Sequence, residues 1–110
     1  MNSKIQYWRK RAGKIARLEG VGGTVTFHPR DKASYRIYDR TRVTGSFSPF
    51  AKEVLFCIRK YQDRTAMSNL LHELAHVIDF HKRGWLKRKQ EHDKVFHKEW
   101  TRLRRRYLWK

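Results

Sequence analysis

Apolar positions recur at helical spacing near both ends of this chain, and they alternate or run together in between. Over residues 3–18, Ile5, Trp8, Ala12 and Ile15 form one apolar stripe, and Ser3 is a suitable cap. Lys4, Arg9, Lys10, Arg11, Lys14 and Arg17 take much of the remaining surface, and Gly20, Gly22 and Gly23 end the helix. The next stretch changes period. Thr24-Val25-Thr26-Phe27 is β-branched and aromatic, and His28-Pro29-Arg30-Asp31 reads as a turn. Tyr35, Ile37 and Asp39 alternate against Arg36, Tyr38 and Arg40 as a second strand. Val43 to Ser48 gives a third, weakened by Gly45, and Pro49 to Lys52 is the turn after it. Glu53-Val54-Leu55-Phe56-Cys57-Ile58 is a nearly continuous apolar run and predicts the most buried strand. A small, mostly antiparallel sheet of three or four strands is expected.

From about residue 65 to 81 the helical period returns, with Asp63 or Thr65 as cap. Met67, Leu70, Leu71, Leu74, Ala75, Val77, Ile78 and Phe80 make this helix apolar nearly all round, so it should be buried on most sides. Gly84 ends it, and residues 85–91 read as a loop. Asp93 then caps a last helix reaching about Tyr107, whose inner face carries Phe96, Trp100, Leu103 and Tyr107. The expected class is α+β: a single domain over residues 1–110, with an N-terminal helix, a small sheet, a central helix and a C-terminal helix.

Charge adds a partner to this outline. The 110 residues hold 27 Lys and Arg against 10 Asp and Glu, a net charge of +17. A surface this basic attracts polyanions, and nucleic acid is the expected partner. Between Lys82 and Lys110 there are twelve Lys and Arg against three acids, with Lys87-Arg88-Lys89 and Arg102, Arg104, Arg105 and Arg106 as the candidate phosphate contacts. Trp85 and Trp109 are candidates for stacking on unpaired bases. Cys57 is the only cysteine, which excludes an internal disulfide and any Cys₄ zinc ribbon. The first residues are basic without the apolar run of a signal peptide, and no segment approaches the roughly 20 apolar residues of a membrane span. An intracellular, cytoplasmic or nucleic-acid-associated location without a membrane partner is therefore expected, with a monomer as the favoured state.

The central helix carries the candidate chemistry. His72-Glu73-Leu74-Ala75-His76 is a His-Glu-x-x-His pattern in a helix that should be buried. Two histidines four apart leave the same face of a helix and can share one zinc ion. Glu73 sits beside that face, where a carboxylate can act as general base on water activated by the ion. Catalytic zinc needs a third protein ligand and an open position. The candidates are His81, Glu91, His92, His97, Glu99, Asp79 and the distant His28. His92 is favoured over His97 because it lies four residues before Phe96, in line with the inner face of the last helix.

Leu71-His72-Glu73-Leu74-Ala75-His76, followed by His92-Asp93-Lys94-Val95-Phe96-His97-Lys98-Glu99-Trp100, resembles the SprT-like zinc metalloprotease family, which includes the Spartan proteases. The family pattern has a third His, then Gly or Asp, then a Phe on a helix. These map onto His92, Asp93 and Phe96. The resemblance covers roughly residues 20–105, but only the two histidine segments are specific. It implies a small zincin-like fold and one Zn²⁺ held by His72, His76 and His92. It further implies peptide-bond hydrolysis with Glu73 as the base, and protein substrates bound or crosslinked to DNA. Many members carry a C-terminal zinc ribbon, for which this chain lacks the cysteines. Two other readings fit the same residues: a nucleic-acid-binding module with a structural or non-catalytic zinc site, and a peptide-binding adaptor that has lost hydrolysis.

Overall fold

The computed structural model describes residues 3–30, 34–35, 42–43, 45–58, 63–84 and 92–109. In chain order the elements are α1 (Ser3–Leu18), β1 (Thr26–Arg30), β2 (Ser34–Tyr35), β3 (Arg42–Val43), β4 (Gly45–Ser48), β5 (Glu53–Cys57), α2 (Asp63–Arg83) and α3 (Lys94–Tyr107). The class is α+β, as the periodicity predicts.

Both terminal helices begin and end where their chemistry directs. α1 closes with a Schellman turn. Gly20 takes φ 80°, its N–H bonds to the Arg17 carbonyl, and the Val21 N–H reaches back to Ala16. Val21, buried itself, then joins the core. α3 is capped by Asp93, whose carboxylate accepts from the Phe96 N–H at 3.0 Å. α2 extends about a turn beyond its expected limits and stops before Gly84, which has φ 75°.

The three-stranded sheet has the order β1-β5-β4. β4 and β5 form the expected antiparallel pair, joined by the turn at Pro49 to Lys52. β1 and β5 are parallel, so the sheet is mixed where the alternation pattern pointed to a mostly antiparallel one. His28, Pro29 and Arg30 also belong to β1, not to a turn. Pro29 is tolerated because β1 is an edge strand, where a missing N–H need not break a ladder. β2 and β3 form a separate two-residue antiparallel ladder. The rest of the predicted second strand, residues 36–40, lies outside the described residues.

The central strand is the most buried, with Val54 and Phe56 fully enclosed. α1 lays Trp8, Ala12, Ile15 and Ala16 into the core, with the Trp8 ring edge-on to Phe56 at 6.4 Å. α2 sits against β5 and β4 on one side and α3 on the other, which explains why it is apolar nearly all round. Phe96 and Leu103 anchor α3 at 0% exposure, with Trp100 and Tyr107 packed partly against the same cluster. Among the described residues, no helix is long and apolar enough to cross a membrane.

Candidate metal centre

His72 and His76 stand one turn apart on the face of α2 that meets α3. Their rings are 5.0 Å apart between centroids, and the His92 ring lies 5.0 Å from His72 and 4.9 Å from His76. One ring nitrogen from each lies within 4.8 Å of the others, and the Nε2 atoms of His76 and His92 are 3.1 Å apart. These three side chains can hold a metal ion. They form a graded set in which His76 is buried, His72 is half-buried and His92 is exposed, so the group opens to solvent on the His92 side.

Aromatic side chains hold the imidazoles in place. Phe96 stacks on His76 at 4.2 Å, and Trp100 meets His72 edge-on at 4.7 Å. Burial first, and then the neighbouring His92, His97 and Arg104, lower the His72 pKa to about 4. His72 is thus a neutral imidazole at physiological pH, the form that offers a lone pair to a metal.

Asp93, the residue after His92, is held by an ionic clamp. Arg83, in the last turn of α2, donates Nε and Nη2 to the two oxygens of Asp79 at 2.5 and 2.8 Å. It also donates Nη1 and Nη2 to the two oxygens of Asp93 at 2.8 and 2.9 Å. Asp79 is fully buried, so its charge needs this partner. Asp93 is both the α3 cap and the neighbour of His92 in the chain. The Arg83 guanidinium and then the Phe96 N–H hold its carboxyl down to about 2. The one visible signal is Arg83 standing four residues after Asp79 on a predicted helix.

Glu73 is buried and points to β4. A Cβ added to Gly45 would lie 2.6 Å from Glu73 Oε2 and 2.9 Å from its Cγ. Gly45, which reads in the sequence only as a strand weakener, is the residue whose missing side chain lets the glutamate lie against the sheet. β4 pairs with β5 on one side only, among the described residues.

The other ligand candidates are placed elsewhere. Asp79 belongs to the clamp, and Glu99 bonds to Lys82 at 2.5 Å and Arg102 at 2.9 Å. His81 and His97 are exposed, and the His97 ring is 6.5 Å from that of His92. His28 lies on β1, 3.7 Å from Glu53. Glu91 is outside the described residues, as are Trp85, Lys87, Arg88 and Lys89.

Of the α3 arginines, Arg102 and Arg106 bond to Glu19 at 2.7 and 3.0 Å, and Arg104 lies over the rings of Trp100 and Trp109 at 4.0 and 4.8 Å. Arg105 is exposed. Three of the four therefore already serve the packing of α3. Trp109 is half-exposed against Arg104.

Comparison with family models, curated proteins and solved structures returns no match. The chemical reading rests on the site itself.

Proposed function

We propose that the protein is a zinc-dependent endopeptidase of SprT-like type that acts on nucleic-acid-bound proteins. The observation that carries the reading is the convergence of His72, His76 and His92 beside a buried Glu73 that does not belong to that ligand group. Tetrahedral zinc with Zn–N bonds of about 2.0–2.1 Å sets its ligand nitrogens about 3.3 Å apart, close to the 3.1 Å between His76 and His92. Three imidazole nitrogen donors suit zinc, and the exposed side at His92 leaves room for a fourth, exchangeable position.

A bound zinc ion supplies Lewis-acid activation of water and of the scissile carbonyl. The remaining roles fall to the chain. Glu73 takes the proton of the attacking water and returns it to the leaving amine, so that the amine departs neutral. Its burial against Gly45 fixes the carboxylate, which removes the cost of ordering it during the reaction. The open side of β4 offers an extended peptide backbone a strand to pair with, close to Gly45 and thus to Glu73. The net charge of +17 would bring such a site to proteins carried on nucleic acid.

Two measurements test this. Glu73→Gln should retain one zinc per chain yet lower cleavage of a DNA-bound protein by about 10²–10⁴-fold; cleavage at the wild-type rate would sink the mechanism. Zinc content of His92→Ala beside His97→Ala decides the ligand set. Loss is expected only for His92→Ala, and loss in both would point to a closed, four-ligand structural site.

A further inference from the structure

A second concave site lies far from the histidines. Its cavity, of about 500 Å³, opens between α1 and the C-terminal end of α3, within the size range of pockets that take small organic ligands. The fourteen residues of α3 put roughly 20 Å between its two ends, so this cavity and the histidine cluster are separate places.

The lining combines three kinds of group. Ile15 and Leu18 are apolar, Tyr7 and Tyr107 contribute rings, and Lys10, Arg11 and Lys14 are cations. Tyr7 and Leu18 are half-exposed, which leaves large apolar surface without a cover. Both rings are already held in place. Arg11 donates to the Tyr7 hydroxyl at 2.6 Å, and the Tyr107 hydroxyl donates to Glu19 at 2.5 Å. A ligand stacking on them would spend little binding energy on ordering side chains.

The charged residues that line the cavity are all of one sign. Residues 3–18 contain six Lys and Arg and no acid. The first acid after them, Glu19, is bonded to Arg102, Arg106 and Tyr107 on α3. Among the described residues, no carboxylate forms an ion pair with Lys10, Arg11 or Lys14. These cations lie within about one helical turn of each other, beside a cavity with aromatic and aliphatic walls. The occupant that satisfies all three kinds of lining group is flat, partly apolar and flanked by negative charge.

We propose that this cavity takes one nucleotide of a single-stranded nucleic acid, its base among Tyr7, Ile15, Leu18 and Tyr107 and the adjoining phosphates on Lys10, Arg11 and Lys14. A single strand is required because a base paired and stacked in a duplex cannot enter a concave pocket. This inference rests on the nucleic-acid part of the reading above and is independent of its metal chemistry. The cations of this site lie on α1, not among the basic residues of 82–110 that the sequence singles out, and it would anchor a strand while the histidine cluster stays free.

The test is fluorescence anisotropy of the full chain with a labelled oligothymidylate, followed by photocrosslinking to a 5-iodouracil version of that strand. Tyr7→Ala should weaken binding about tenfold, the usual loss for one stacked base, while Tyr7→Phe, which keeps the ring and loses only the bond to Arg11, should lose much less. Lys10→Gln with Lys14→Gln should flatten the slope of log affinity against log salt by about 1.4, since two phosphates would no longer be neutralised. Adducts are expected on Tyr7 or Tyr107. Unchanged binding in the Tyr7→Ala and lysine variants, with adducts confined to residues 82–106, would overturn the cavity assignment and leave the nucleic-acid reading standing. No binding of any oligonucleotide by the wild type would remove both. Equal affinity for a blunt duplex, or binding to phosphatidylserine vesicles without binding to the strand, would also overturn the proposal.

Discussion

The two ends of α3 solve the same packing problem with opposite charge balances. At its start, two carboxylates share one guanidinium: Asp79 and Asp93 with Arg83. At its end, one carboxylate serves two guanidinium groups and a phenol: Glu19 with Arg102, Arg106 and Tyr107. Each network ties α3 to another part of the chain through a deeply buried acid, Asp79 at 0% and Glu19 at 3% side-chain exposure. The first has no cation to spare, and beside it His72, His76 and His92 come together. The second leaves a surplus of positive charge, with a basic helix and an uncovered cavity next to it. The distribution of the few acids, more than the total of +17, thus separates a histidine group that can hold a metal ion from the surface we propose for a polyanion.

If the first network exists to position His92, breaking it should cost metal binding as well as stability. Arg83→Met takes the guanidinium away from the buried Asp79 carboxylate, which costs about 3–5 kcal/mol. It also frees the Asp93 cap, and metal affinity should fall about 10–100-fold, as for other groups that orient a ligand. Urea melts and metal titration of the same variant measure both. A stability loss with unchanged metal affinity would reduce the clamp to a packing device and erase half of the contrast.

Glu19→Gln probes the other end. It removes the shared negative charge and one of the two acceptor oxygens, and stability should drop by about 1–3 kcal/mol, a range kept low because Arg102 and Arg106 are each about half exposed and can turn to water. Metal affinity should not change. A change there would mean that the two ends are coupled along α3.

The smallest effect lies in pH. Burial, followed by the hydrogen bond to Glu19, raises the Tyr107 hydroxyl to about 12, above the value near 10 of a free tyrosine. Folding therefore favours the neutral phenol. Its contribution is fully present below about pH 10 and is lost as the pH rises toward about 12. Thermal melts across that window should show the loss, and Tyr107→Phe should remove this part of the slope.

Much of this was legible locally. The stripe of Ile5, Trp8, Ala12 and Ile15 marks α1, Asp93 marks the start of α3, and the spacing of His92 before Phe96 puts it in line with the helix face that meets α2. Each rests on contacts within a few residues, which periodicity and capping express directly. The order of the strands was not legible in the same way. Pro29 reads as a turn residue until β1 is seen to be an edge strand parallel to β5.

The sequence by itself determined the α+β class, the three helices, the pairing of His72 with His76 on one face and the excess of positive charge. Tertiary structure decided what those features meet. It set Glu73 against Gly45, joined Asp79 to Asp93 through one arginine, turned Glu19 toward α3 and left the cavity between Tyr7 and Tyr107 open. The reason is range. Helix faces follow from a repeat of 3.6 residues, whereas the partner of a buried charge is set by packing between segments far apart in the chain, as Glu19 and Arg102 are.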